Sequence, residues 1–217
     1  MLYQASPAPS GLILMVGPTG SGKTTTLYAI LNALNSHEKN ILTIENPVEY
    51  HIEGIIQVSV KPEQGLGFAD TLRAALRQDP DVLLIGEIRD EETANIAVKA
   101  AFTGHLVLST LHSSDTVTAI QRLLNLRLAP DLLAETLTVI ISQRLVRRLC
   151  SCQNGNKSNP HTSDKNCLRC RGTGYSSRIH VYEILKVNSL VRDRIQAGDT
   201  GRKLIRAEPE LYFQTME

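Results

Sequence analysis

The sequence has no tryptophan and little aromatic surface of any kind, 4% of its 217 residues. Proteins that grip single-stranded nucleic acid stack its bases on aromatic side chains, so that class of partner is disfavoured at once. An excess of one charge is missing too. Lys and Arg number 23 against 22 Asp and Glu, a net charge of +1, which gives no basic field for nucleic acid or an anionic membrane. No apolar run approaches the roughly 20 residues of a membrane-spanning helix. Met1–Ser10 lacks the basic stretch and apolar core of a secretory leader. The chain is therefore expected to be cytoplasmic, with no transmembrane segment. Cysteine is absent except at Cys150, Cys152, Cys167 and Cys170, and in a reducing compartment such clustering favours a metal site over disulfides.

What is present reads as alternating strands and helices. Leu12-Ile13-Leu14-Met15-Val16, Ile41-Leu42-Thr43-Ile44, Val82-Leu83-Leu84-Ile85 and Leu106-Val107-Leu108 are short continuous apolar runs, the pattern of strands buried on both faces. Ile55–Val60 is a further candidate strand. Between them, Leu27, Ile30, Leu31 and Leu34 recur at helical spacing, as do Phe68, Leu72, Ala75 and Leu76, and then Ala94, Ala97, Val98, Ala101 and Phe102 behind an Asp90 cap. Two more helices are expected, one from about Asp115 to Leu126 and one from Pro130 to about Arg147. This order predicts an α/β fold with a mostly parallel sheet covered on both faces. Right-handed crossovers then gather the loops after the strands on one edge, so Gly17, Glu45, Glu87 and His112 should meet there. There is no internal repeat, and the only compositionally biased stretch is the polar segment Gln153–Lys165.

Gly17-Pro18-Thr19-Gly20-Ser21-Gly22-Lys23-Thr24 matches G-x-x-x-x-G-K-[ST] after a buried strand and at the opening of a helix, the context the phosphate-binding loop requires. Its glycines let backbone N–H groups turn toward phosphates, and the helix start adds positive potential. Lys23 is expected on the β/γ-phosphates of ATP and the Thr24 hydroxyl on Mg²⁺, with Thr25 extending the nucleotide-binding run. Glu87, at the end of the third buried run, is placed to orient and polarise an attacking water. The alternative for Glu87 is a strand-end pair with Arg89. Gly86 stands where many P-loop enzymes keep a Mg²⁺-holding Asp.

Four boxes occur in order: GPTGSGKTTT at Gly17–Thr26, ENPVEY at Glu45–Tyr50, LLIGEIRD at Leu83–Asp90 and TGHLVLSTLHSSD at Thr103–Asp115. Together with RLVRRLC at Arg144–Cys150, they resemble the secretion ATPase superfamily of type II secretion and type IV pilus assembly motors, over residues 11–185. The resemblance implies a RecA-like P-loop core at 11–149. It makes Glu45 the acid near water or metal, and gives His105 and His112 the task of sensing or stabilising the γ-phosphate. On the residues alone each histidine reads more readily as a satisfied strand-end group than as a γ-phosphate sensor. Asn46 departs from the usual Asp of the second box, which puts catalytic tuning in question. The resemblance further implies hexameric rings when an N-terminal domain is present, inner-membrane assembly-platform proteins as partners, and a peripheral position at the inner face of the cell membrane.

The cysteines form a C-x-C and a C-x-x-C pair with fourteen residues between them. Four thiolates suit a closed tetrahedral Zn²⁺ site holding a small subdomain at 150–172, with reduced free cysteines as the alternative. The family pattern is C-x-x-C twice, so the first pair is one residue short. Residues 1–10 read as a linker, 173–206 as a C-terminal segment of the ATPase domain with a helix, and 207–217 as a tail in which Leu211-Tyr212-Phe213-Gln214 resembles a tag remnant. Nothing before Leu12 encodes the N-terminal domain whose arginines serve relatives, so weak hydrolysis is expected. A truncated nucleotide-binding module is the competing reading.

Overall fold

The computed structural model describes residues 10–61, 63, 65, 67–153, 166–199, 201, 204 and 212–215. The linker expected before Ser10, most of the polar stretch 153–165 and most of the tail 207–217 lie outside these residues.

The elements run β1 (Gly11–Val16), α1 (Lys23–Leu34), β2 (Ile41–Glu45), β3 (Ile56–Ser59), α2 (Phe68–Leu76), β4 (Val82–Ile85), α3 (Glu91–Phe102), β5 (Leu106–Leu111), α4 (Thr116–Asn125), α5 (Pro130–Thr136), β6 (Leu137–Leu149), β7 (Tyr175–Lys186), α6 (Ser189–Gln196) and β8 (Tyr212–Thr215). One sheet takes them in the order β3-β2-β4-β5-β1-β6-β7-β8. It is parallel from β3 through β6 and antiparallel from β6 to β8. The apolar runs are strands because parallel strands, covered on both faces, tolerate no polar alternation.

Side chains alternate between two cores. Leu12, Leu14 and Val16 of β1 and Leu83 and Ile85 of β4 face a large core shared with α2 to α6. Met15, Val82 and Leu84 face the opposite way onto Leu27, Tyr28 and Leu31 of α1. Asp90 caps α3 by accepting from the Thr93 amide, and Asp115 closes a capping box at α4, satisfying amides that a helix start leaves unpaired.

The helix expected from Pro130 to about Arg147 is only seven residues, about two turns, long. It stops at Thr136, and the chain becomes the 13-residue strand β6. Thr138-Val139-Ile140-Ile141 explains the switch. Four consecutive β-branched side chains lose rotamer freedom against a helical turn and pack well on a pleated surface. β7, which the sequence reading did not isolate, pairs with β6 along its whole length from Val139↔Lys186 to Leu149↔Tyr175. The two strands make a long ribbon with all four cysteines at its tip. Arg147 lies 4.0 Å over the Tyr175 ring there, a cation–π contact that adds to sparse apolar packing.

Candidate functional site

The C-terminal edge of the parallel strands carries a cleft of about 580 Å³. Thr19 to Thr25 line one wall, and Glu45, Asn46, Glu87 and His112 reach it from β2, β4 and β5. The convergence expected from strand order is therefore present. Gly17 and Pro18 lie behind this lining and serve as acceptors: Lys23 Nζ donates to their carbonyls at 2.9 and 3.0 Å. Burial holds the Lys23 amine below its ordinary range, and the Glu87 charge opposes that shift.

The loop's shape needs glycine at two points. Gly17 has φ 136° and Gly22 φ 85°, the left-handed region where a side chain is strained. A Cβ at Gly17 would also fall 2.3 Å from the Gln143 carbonyl oxygen, and one at Gly22 2.9 Å from Gln143 Nε2. With Gly22 at the N-cap and no side chain capping α1, the first amides of the helix are left for an anion. Among the described residues, the Ser21 hydroxyl is the one buried side-chain polar atom with no partner. A buried donor of this kind inside such a loop suits a phosphate oxygen.

Glu45 ends β2 and is 3% exposed. A carboxylate so buried must be hydrogen-bonded, and it is: Tyr28 Oη donates to Oε2 at 2.5 Å and Thr43 Oγ1 to Oε1 at 2.6 Å. Burial first, and the bond to Glu45 second, push the Tyr28 phenol above its usual range, so Tyr28 stays a donor. Neither Tyr28 nor Thr43 carried a motif signal; only helical spacing of Tyr28 onto the β2 face could have pointed to it. Gly86 donates to the Ile44 carbonyl at 2.8 Å, and a Cβ there would come within 3.3 Å of Glu45 Cα. A side chain at 86 would crowd Glu45, the acid that stands beside this position.

Glu87 follows β4 with its side chain 13% exposed; it pairs with the 63%-exposed Arg89 and lies 3.4 Å from His112 Nε2. The Arg89 pair expected as the alternative is thus made, at a place that also faces the cleft. Thr24, Glu45 and Glu87 together offer the hard oxygen donors that Mg²⁺ accepts. His105 sits elsewhere. It precedes β5, where its Nδ1 donates to the Ala100 carbonyl at 2.9 Å and approaches Thr103 Oγ1 at 3.2 Å. Six strand residues at about 3.3 Å each separate it from His112, roughly 20 Å. Residues that flank one strand occupy opposite edges of the sheet, so only His112 reaches the cleft in this chain.

At the ribbon tip the four cysteine sulfurs all lie within 4.8 Å of one another. Cys150 and Cys167 are 3.8 Å apart, and Cys152 and Cys170 3.6 Å. Tetrahedral Zn²⁺ with bonds of about 2.3 Å sets its sulfurs about 3.8 Å apart, so the donor set fits. The short C-x-C pair reaches this arrangement through a 3-10 turn at Ser151–Gln153. Backbone amides of Cys170 and Arg169 hold the Cys167 thiol down to about 7, while burial and the neighbouring sulfurs push Cys152 up to about 12. Sulfurs this close cannot all ionise without a cation among them.

The sequence model of the type II/IV secretion system protein family matches residues 2–216. The chain belongs to that family. Type II secretion system protein E of Klebsiella pneumoniae is 48% identical over 212 aligned residues, covering 91% of this chain and 43% of the relative. The type IV pilus assembly ATPase PilB of Thermus thermophilus is 44% identical over 214, covering 90% and 24%. The solved pilus retraction motor PilT with bound ADP superposes with a TM-score of 0.72 at 33% identity, covering 93% of this chain and 55% of that one. The Legionella pneumophila ATPase DotB gives 0.72 at 27%, covering 97% and 54%. As a member of the type II/IV secretion family, the chain thus spans about half the length of such relatives or less. No helix among the described residues is long and apolar enough to cross a membrane.

Proposed function

We propose that the chain binds and hydrolyses ATP as part of a motor subunit that powers pseudopilus or type IV pilus assembly. The observation that carries this reading is the meeting of Lys23, Glu45, Glu87 and His112 on one cleft. Phosphoryl transfer is catalysed mainly by positioning and charge stabilisation, and these residues divide that work. The loop amides and Lys23 hold the phosphates. Thr24 would take part in holding Mg²⁺, which when bound neutralises phosphate charge. Glu87 orients and polarises the attacking water, with His112 beside it to meet charge developing on the γ-phosphate. Glu45, clamped by Tyr28 and Thr43, keeps a fixed negative group behind them. Cys150, Cys152, Cys167 and Cys170 would hold Zn²⁺ in a closed site whose chemistry is structural cross-linking.

Lys23 is the one lysine or arginine lining the cleft among the described residues. Arginine at the transferring phosphate can add about 10³–10⁵ in rate, so turnover by this chain alone is slow and rises when a neighbouring domain or subunit adds cations. A hexameric ring, assembly-platform partners and a place at the inner face of the cell membrane belong to the same proposal and rest on kinship with the relatives. The second reading, a nucleotide binder with negligible turnover, is favoured by Arg89 engaging Glu87 and by Asn46 in the cleft. Phosphate release by the purified chain, alone and mixed with a full-length relative, separates the two. Release that Glu87→Gln abolishes supports the motor; none in either mixture leaves the binder.

A further inference from the structure

Gln143 belongs to none of the four boxes, yet it meets the phosphate-binding loop at three places. It lies on β6, fully buried at 0% exposure. The parallel register that sets Ser142 beside Val16 places Gln143 level with Gly17, where the loop begins. Its own carbonyl is the atom that would clash with a side chain at Gly17. Its side chain crosses to the far end of the loop, where Nε2 donates to the Ser21 carbonyl at 2.7 Å. Its Oε1 accepts from Thr26 Oγ1 at 2.8 Å, in the first turn of α1. The remaining amide hydrogen goes to His180 Nδ1 on β7 at 2.9 Å.

These bonds fix the amide's orientation, because only the oxygen can accept from Thr26 in a network where Nε2 also serves the Ser21 carbonyl. Every polar atom of the side chain is used. Buried polar groups satisfied this completely rigidify what they touch. Here they touch Ser21, near the end of the loop, and Thr26 of the helix itself, while the Gln143 carbonyl closes on the loop's beginning.

We infer that Gln143 is a positioning residue for the phosphate-binding loop, bracing from beneath the backbone that presents its amides to phosphate. This rests on the nucleotide reading of the loop. Gln143 does not touch the ligand; it holds Ser21 and Thr26 at the spacing that the anion needs. His180, pinned by the ring stack with Tyr182 at 5.9 Å, keeps the amide from rotating.

The test measures Mg-ATP affinity by calorimetric titration and thermal stability in parallel, on the full chain. Wild type is titrated first; if it binds no Mg-ATP, the nucleotide reading falls and this inference with it. Gln143→Met keeps the length and volume of the side chain and removes its hydrogen bonds. It is expected to weaken Mg-ATP binding about tenfold, the loss of one to two well-made bonds. Thr26→Val, nearly isosteric, cuts the brace from the helix side and should weaken binding about threefold to tenfold. Combining the two should cost no more than about twofold beyond Gln143→Met alone, because both act through one contact. A lower melting temperature with wild-type affinity in Gln143→Met shows a merely structural glutamine and overturns the inference. Losses that multiply in the double variant overturn it equally. If Gln143→Met does not fold, Thr26→Val decides: unchanged affinity there refutes the brace.

Discussion

Strand β4 is buried at every position, whereas β6 is buried over its inner half and largely exposed from Arg144 to Leu149. The two strands belong to one sheet and are stabilised by different means. In the parallel half, apolar side chains on both faces hold each strand, and truncating one such as Leu84 or Leu14 should cost about 2–5 kcal/mol. The ribbon of β6 and β7 projects beyond that core, with Val146, Leu149 and Leu168 exposed. Burial cannot hold its tip, so the four-cysteine cluster stands in for a core there. The difference assigns two tasks. The parallel strands deliver chemical groups to the cleft, and the ribbon keeps a second set of residues in register with it.

Breaking chemistry without touching either kind of stability is the sharpest way to probe this division. Lys23→Ala should weaken Mg-ATP binding more than about 100-fold, with the melting temperature unchanged within a few degrees; titration and calorimetry check both. Unfolding on the same substitution would mean that the cleft and the core are not separable. Glu87→Gln should lower turnover by roughly 10²-fold or more while binding persists, read from phosphate release against nucleotide affinity.

The ribbon is tested at its four cysteines. Protein purified without chelator should carry about one Zn per chain, and chelation should speed hydrogen exchange in Arg144–Leu149 and the facing part of β7 while β1, β4 and β5 stay protected. Uniform loss of protection would show a single cooperative unit instead. The two histidines compare the edges of one strand. His112→Ala should slow turnover about tenfold, whereas His105→Ala should lower stability by about 1 kcal/mol and leave nucleotide affinity in the isolated chain unchanged. The smallest expected effect is at the start of α4. Burial acts to raise the Asp115 pKa, but hydrogen bonds from Thr118, Ser114 and Val117 outweigh it and leave it below 3.8. A depressed carboxylate stabilises the fold above its unfolded pKa and loses that contribution as pH falls through the folded value. Asp115→Ala should therefore cost about 1 kcal/mol at neutral pH and progressively less below about pH 3.8, as thermal melts across pH will show.

Legibility in the sequence follows the same division. Elements of the parallel half read clearly because a doubly buried strand must be apolar throughout, and a polar residue at its end, such as Glu45 or Glu87, marks the edge. The P-loop was legible because its backbone demands glycine at fixed offsets. β6 was misread because its first residues continue the helical pattern of α5, and only the run Thr138–Ile141 argues otherwise. His105 and His112 share one box, but the two ends of a strand open on opposite edges, and of the pair His112 lines the cleft. Tyr28, Thr43 and Gln143 had no motif to announce them. They are hydrogen-bond partners brought together by strand register and by the seating of α1 on the sheet, and neither is written in any one segment.

The contact between Gln143 and Ser21 spans 122 positions of chain, and that distance sets an order of assembly. The loop residues are synthesised well before the strand that shapes them, which comes last of the parallel set. Between those moments Gly17–Thr24 is a flexible glycine-rich segment with no template beneath it, and closing so long a loop is slow compared with forming a local helix or hairpin. Competence to hold nucleotide is therefore acquired at the end of folding rather than at its start. A nascent chain stalled before residue 143 would carry the entire phosphate-binding motif and none of its shape.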